Sequence, residues 1–159
     1  MIRSRLALVA VLASAACGEV DTSWHDEQGH RWRALDVSGD DPGFTLIEPR
    51  RSGVTFMNTV SDSLLVRNRH LAHGGGVCLA DVDGDDRADV FLARTEGANA
   101  MYRNLGEWRF EDVTTRAGVA APDRHSTGCA FADVNGDRHP DLILLALGGT
   151  NAVYLNDGR

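Results

Sequence analysis

Hydrophobic residues occur in short runs that are separated by turn-forming residues. The runs "GVCLA", "VFLA" and "LILLAL" hold four to six consecutive residues that are apolar or small. Glycine, asparagine or aspartate, which favour turns, flank each run. Strands that are covered on both faces carry consecutive apolar residues of this kind. No helical periodicity of useful length occurs, so the pattern predicts an all-β fold rather than an α/β fold.

A repeat organises these strands. Residues 76–106 align without a gap on residues 128–158, at an offset of 52 positions. The alignment pairs Asp81 with Asp133, Asp85 with Asp137, Asp89 with Asp141, Asn99 with Asn151, Tyr102 with Tyr154, and Asn104 with Asn156. Each unit contains a predicted strand, an acidic loop and further short strands within about 50 residues, which is the size of one propeller blade. The sequence therefore predicts a partial β-propeller with about two four-stranded antiparallel blades.

The predicted organisation has three parts. Residues 1–16 are a signal peptide, residues 17–43 are a tether with one short packed piece around "RWRAL", and residues 44–159 form the blades. Residues 44–53 parallel the segment from Phe110 onward, so they are predicted to be the outer strand of a separate blade. Residues 74–118 form the first blade. Residues 126–159 form the second blade, which is incomplete because a last strand is still due.

The first twenty residues have the plan of an export signal. A basic start and an apolar run, Leu6–Ala13, are followed by small residues that lead to Cys17. This run is too short for a permanent membrane-spanning helix. Small residues before a cysteine resemble a bacterial lipobox, although Ser14 stands where that motif prefers leucine, and the resemblance implies lipidation of Cys17. The alternative is cleavage after Ala15 or Ala16 without lipidation.

Either route delivers the mature chain to an oxidising compartment. We expect a cell-envelope lipoprotein, at the outer membrane or cell surface, or a periplasmic or secreted protein. A membrane contact is expected only through the lipid anchor. The formal net charge is −7, which disfavours a nucleic acid as partner and favours cations.

Two acidic loops carry the candidate chemistry. The first, "DVDGDDRAD", offers Asp81, Asp83, Asp85, the backbone carbonyl of Arg87, and Asp89. The second, "DVNGDRHPD", offers Asp133, Asn135, Asp137, the backbone carbonyl of His139, and Asp141. Calcium takes about six to eight oxygen ligands, and alternate residues of a tight turn direct their side chains to one centre. The loops predict two Ca²⁺ sites, of which the first is expected to be tighter because it has one more carboxylate.

Other interpretations of these signals are weaker. Solvated turns without metal are the alternative for the loops, but two copies in matching register argue against it. The loops are not EF-hands, because Leu92 or Leu144 stands where that motif has a bidentate glutamate. The run "HGGG", His73 to Gly76, imitates a lipase oxyanion turn, yet no G-x-S-x-G follows it. His70 and His73 suggest a metal pair, but recurrence of His73 as His125 favours a structural role.

The repeat pattern resembles the FG-GAP or VCBS repeat of integrin-α-type β-propellers. More narrowly, "HGGGVCLADVDGD", followed by "DVFLA", "YRN", "DVT" and "AGV", is similar to bacterial proteins that carry these repeats ahead of an ASPIC/UnbV domain. The resemblance covers residues 44–159. It implies a larger propeller with calcium in its loops, of which this chain is an N-terminal fragment. It also implies binding of an unknown protein or glycan, or adhesion, rather than catalysis.

The alternative function is an enzyme. The chain would then be the N-terminal part of a propeller enzyme, acting on glycans or as an oxidoreductase, whose catalytic residues lie elsewhere. No nucleophile and base are identifiable, so the chain is not expected to be an enzyme by itself.

The two remaining cysteines lie on the first strands of the two blades. Cys129 aligns with Val77 rather than with Cys78, so the two thiols point to opposite faces of their strands. They therefore lie either across from each other between the blades, where a disulfide forms, or directly apart as free thiols. The sequence leaves both arrangements open.

Overall fold

The computed structural model describes Asp21, residues 23–34 and residues 43–158. The chain divides into two compact units, residues 1–44 and residues 45–159. The predicted signal peptide and Cys17 lie outside the described residues, as does part of the tether. Within the described ranges, no helix is long and apolar enough to cross a membrane.

The first unit contains a hairpin that the sequence interpretation missed. Strand β1 (His25–Glu27) pairs antiparallel with β2 (His30–Trp32) across a tight turn in which Gly29 has a φ of 88°. Stacking of the His25 ring on Trp32, with centroids 4.4 Å apart, supports the pairing. Strand β2 overlaps the short packed piece that was expected around "RWRAL", but the pairing with β1 was not predicted, because both strands are too short to show a periodic pattern.

The second unit is built from two antiparallel sheets. The first sheet has the order β3-β4-β5-β6 and the second has the order β7-β8-β9. The strands of the first sheet are β3 (Val77–Ala80), β4 (Asp89–Leu92), β5 (Ala100–Asn104) and β6 (Phe110–Asp112). The strands of the second sheet are β7 (Ser126–Ala132), β8 (Asp141–Ala146) and β9 (Ala152–Tyr154). This mostly β architecture, with few helices, agrees with the predicted partial propeller of repeated blades.

The hydrophobic core lies between the two sheets. Register partners Cys78, Phe91 and Met101 share one face of the first sheet. They belong to the same buried cluster as Leu142 and Leu144 of the second sheet. Phe91 and Leu144 are fully buried, so each loses solvent contact over its whole side chain, which stabilises the fold by about 1.5–3 kcal/mol per residue.

The first strands of the two sheets approach each other closely. A Cβ placed on Gly76 would lie 2.8 Å from Cα of Gly128, so no larger residue fits there without movement. Cys78 and Cys129 are joined by a disulfide bond, with their Cα atoms 5.9 Å apart. The thiols therefore lie across from each other between the blades, the bridged arrangement of the two that the sequence left open.

The chain before the first sheet differs from its prediction. Residues 44–48 pair with no strand in the described part of the chain, and helix α1 (Pro49–Ser52) follows them. No described strand pairs with residues 44–53, so the expected outer strand of a separate blade stays a prediction. Helix α2 (Asp62–Arg67) and a 3₁₀ helix (Arg69–His73) were also not predicted, since both are too short to show a helical period.

The sequence after β6 likewise forms a short helix, α3 (Thr114–Ala117), which ends at Gly118 with a φ of 67°. Helix α1 ends at Gly53 in the same left-handed conformation, with a φ of 79°. The predicted parallel between the two segments therefore holds for the helix and its terminating glycine. It does not hold for the strand that precedes them.

Candidate metal-binding loops

The first acidic loop connects β3 to β4 and is held by its own first aspartate. The carboxylate of Asp81 accepts the backbone N–H groups of Gly84, Asp85 and Asp86 at 2.8, 3.0 and 2.8 Å. Gly84 and Asp86 both have positive φ, at 76° and 63°, which turns the chain back around this carboxylate. Asp81 thus shapes the loop in addition to being a candidate ligand.

The last aspartate of the loop is buried and fixes the loop to the sheet. Asp89 has no solvent-exposed surface. Its carboxylate accepts the N–H of Val82 at 3.0 Å and the N–H of Asn104 at 2.7 Å. The Asn104 amide in turn donates to the carbonyl of Ala88 at 2.9 Å. Asn104 therefore anchors the loop to β5. The sequence repeat showed that this asparagine recurs as Asn156, but it did not show what the asparagine contacts.

The second loop repeats this hydrogen-bond frame. Asp133 accepts the N–H groups of Gly136 and Arg138 at 2.6 and 2.9 Å. The equally buried Asp141 accepts the N–H groups of Val134 and Asn156 at 2.9 and 2.8 Å. Because the partners lie at equivalent positions, the sequence repeat is also a repeat of loop conformation.

Three carboxylates of the first loop converge. Asp81, Asp83 and Asp89 each place one oxygen within 4.8 Å of the others. Oxygens bound to one calcium ion lie within about 5 Å of each other, since each Ca–O distance is about 2.3–2.6 Å. The donor set contains only oxygen, which suits a hard cation such as calcium rather than zinc or copper. The first loop therefore fits the predicted ion.

The other predicted ligands have different surroundings. The side chain of Arg87, of which only the carbonyl was considered, forms an ion pair with Asp85 at 2.5 Å. In the second loop, the Asn135 amide donates to Asp137 at 2.8 Å, and Asp137 also accepts the N–H of His139 at 2.9 Å. Asp85 and Asp137 are thus engaged in local contacts that an ion would have to rearrange.

The electrostatics of the first loop favour a cation. Burial raises the pKa of Asp89 above its ordinary value, although the N–H groups of Asn104 and Val82 oppose this, and the negative charges of Asp83 and Asp85 raise it further. Burial also acts to raise the pKa of Asp81, but backbone N–H groups outweigh it and lower the pKa. The buried negative charge at Asp89 is thus costly without a positive partner.

The second loop shows the hydrogen-bond effect more simply. The N–H groups of Arg138 and Gly136 are the largest causes that lower the pKa of Asp133. These N–H groups stabilise the ionised form of the Asp133 carboxylate.

The glycines of "HGGG" have a packing role. A Cβ on Gly75 would collide with the carbonyl oxygen of Ala93, and Gly76 lies against Gly128 as described above. The imidazole of His73 contacts the carbonyl oxygen of His70 at 2.9 Å, within the 3₁₀ helix. These packing and hydrogen-bond contacts account for the glycines and for His73. Neither an oxyanion turn nor a histidine metal pair is needed to explain the "HGGG" sequence.

One further residue near the first loop was not foreseen. Arg103, on β5, places its Nε 2.5 Å from the Asp83 carboxylate and its Nη2 3.6 Å from that of Asp85. Arg103 lies on β5, which neighbours β4 and lies outside the loop, so loop spacing gave no signal for it. The one signal in the sequence is that the repeat aligns Arg103 with Leu155, so the two blades differ at this position.

Comparison with known families agrees with the fold. Residues 81–144, which run from the first acidic loop into β8, match the family model described as FG-GAP-like repeat. Residues 81–144 are therefore similar to FG-GAP-like repeats, and they lie within the mostly β part of the chain.

Particular relatives share part of this region. The chain is similar to proteins named Cartilage acidic protein 1. The human and mouse proteins (Homo sapiens and Mus musculus) are each 32% identical over 82 residues, and the frog protein (Xenopus tropicalis) is 27% identical over the same length. The matched region covers 52% of this chain but only 12–13% of the relatives. The chain therefore spans a small part of the length of these relatives.

Proposed function

We propose that the chain is an exported, calcium-binding propeller-repeat module that serves in interaction or adhesion and has no catalytic activity of its own. The observation that carries the proposal is the convergence of the Asp81, Asp83 and Asp89 carboxylates within 4.8 Å. The FG-GAP-like match and the repeated loop frame support it. Asp133, Asn135, Asp137 and Asp141 would hold a second ion.

Calcium would supply positive charge at each loop. Two ions would change the formal charge from −7 to about −3, since each carries two positive charges. The chain's own contribution is to hold the carboxylates on fixed backbone frames. Because Asp89 and Asp141 are hydrogen-bonded to the strand ends, a rigid loop would present the neighbouring surface to a protein or glycan partner.

Calorimetric titration with calcium tests the proposal. Asp83→Ala removes a ligand that no backbone N–H uses, so it should abolish one binding event without collapsing the loop. Asp86→Asn is the matched control, because it removes one charge from the same loop at a position that is not a predicted ligand. Asparagine also tolerates the positive φ of 63° found there.

The expected result is loss of one site in Asp83→Ala and nearly wild-type binding in Asp86→Asn. Absence of calcium uptake by the folded wild-type protein would overturn the proposal, and equal weakening by both variants would show a general charge effect instead of a site.

Partner binding needs a separate measurement. A protein and glycan array probed with the chain in calcium and again in EDTA should show signals that depend on calcium. Substrate turnover by the full-length protein would instead support the enzyme alternative.

A further inference from the structure

The first acidic loop already has a positive partner, contributed by a different strand. The Arg103 guanidinium lies 2.5 Å from Asp83 through Nε and 3.6 Å from Asp85 through Nη2. The Arg103, Asp83 and Asp85 side chains retain 37%, 32% and 19% of their exposure, so water screens these pairs only in part. Asp83 is one of the three converging carboxylates, so the arginine pairs with a candidate ligand of the ion.

The contact is electrostatic rather than a directed hydrogen bond. Although Nε lies close to the Asp83 oxygen, its N–H does not point at that oxygen, and Nε has no hydrogen-bond partner. Backbone N–H groups, in contrast, are directed at Asp81 and Asp89. An incoming cation would thus displace the arginine more readily than it would break the frame of the loop.

The second blade lacks this arginine. The residue 52 positions after Arg103 is Leu155, which is 64% exposed and has no charge. Among the described residues, no arginine forms an ion pair with Asp133, Asp137 or Asp141. The two loops share one backbone frame but differ in their charge partners: Arg103 pairs with Asp83 and Arg87 with Asp85 in the first loop, whereas no described arginine pairs with a carboxylate of the second.

We infer that Arg103 is a resident counter-ion of the first loop, which calcium must displace from Asp83 and Asp85 in order to bind. This inference rests on the proposed calcium site. It implies that the extra carboxylate of the first loop does not give the full gain in affinity that ligand charge alone predicts. It also implies that Arg103 stabilises the loop when no metal is bound, by relieving repulsion among its carboxylates.

Reciprocal substitutions test the inference, because each blade contains the residue that the other lacks. Arg103→Leu should tighten calcium binding at the first loop about three- to tenfold, and Leu155→Arg should weaken binding at the second loop by a similar factor. Arg103→Lys keeps the charge and should stay within about twofold of wild type. Each loop is measured by calorimetry in a background where the other is disabled, by Asp137→Ala or by Asp83→Ala.

The matched control is Arg116→Leu. Arg116 pairs with Glu111 at 3.6 Å and not with any predicted ligand, so its removal changes the net charge alone. Thermal unfolding adds a second readout: Arg103→Leu should melt lower than wild type without calcium, yet gain more from calcium. A residue with a purely structural role would lower both temperatures together.

Several outcomes would overturn the inference. Equal calcium dissociation constants for wild type and Arg103→Leu would overturn the inference about Arg103, but they would not contradict the proposed calcium site. Equal tightening by Arg103→Leu and Arg116→Leu would show a long-range charge effect. If Arg103→Leu does not fold, NMR of the wild-type Arg103 Nε–H decides, because its resonance must shift when calcium is added and would stay unchanged if the pair persists. Failure of every variant to bind calcium would overturn the proposed function itself.

Discussion

Reduction of the Cys78–Cys129 bond should strongly destabilise the two-blade unit. The bond connects β3 to β7 and so closes a loop across the whole first blade, with a sequence separation of 51 residues. A cross-link stabilises a fold mainly because it restricts the unfolded chain, and the effect grows with the length of the closed loop. The chain-entropy relation gives about 4 kcal/mol for this separation at 25 °C.

The contribution of the disulfide is large relative to the free energy of unfolding of a typical domain. Domains are stable by about 5–15 kcal/mol, so loss of about 4 kcal/mol removes a substantial share. Burial of Phe91, Leu142 and Leu144 between the sheets still holds the blades together in the reduced protein. We therefore expect a reduced form that is folded but markedly easier to unfold.

Urea unfolding at low protein concentration, with and without a thiol-specific reductant, measures the difference. Cys17 is replaced by alanine in every sample so that the third cysteine does not exchange. The reduced form should also show a larger m-value, because its unfolded state exposes more surface. The double variant Cys78→Ala/Cys129→Ala is the control and should not respond to reductant.

Two results would refute the reasoning. One is a free energy of unfolding that reductant leaves unchanged in the wild-type protein. The other is titration of two thiols in non-reduced, unfolded protein that lacks Cys17.

Two further predictions concern packing. Gly76→Ala should destabilise the protein by about 1–3 kcal/mol, because the new methyl group meets the Gly128 backbone at 2.8 Å, whereas Gly149→Ala, with open space around it, should be neutral or stabilising by up to about 1 kcal/mol in the same urea assay. Wild-type behaviour of Gly76→Ala would contradict the close approach of β3 and β7. The chain should also self-associate as its concentration rises, because Val77, Leu79, Leu145 and Val153 are 63%, 63%, 44% and 56% exposed. Sedimentation velocity should show this, with less association for Leu145→Glu/Val153→Glu, and a monodisperse wild-type monomer at all concentrations would contradict it.

The repeat explains why much of the fold was predictable. The loops between β3 and β4 and between β7 and β8 form from residues within nine positions, and the required glycines, Gly84 and Gly136, stand where the chain must turn. The consecutive apolar residues of β4 and β8 likewise reflect burial in each separate blade, as Phe91 and Leu144 show. These features are local, so spacing and residue type suffice to predict them.

Short elements without a pattern were not predictable. The hairpin of His25–Glu27 and His30–Trp32 and the helix Asp62–Arg67 are each shorter than the window that a periodic signal needs. The segment 44–48 has the composition of a strand, yet it forms none, because a strand depends on its neighbour as well as on its own residues.

The sequence by itself determined the blade repeat, the two acidic loops and their oxygen-rich ligand set. Only the tertiary structure decided that Cys78 and Cys129 face each other, because strand alternation gives opposite directions but not which blade lies on which side. Only the tertiary structure placed Arg103 against Asp83, since the two residues meet across the fold of one blade and 20 positions separate them in the chain. Local spacing fixes turns and strands, whereas contacts between distant residues depend on how the sheets pack.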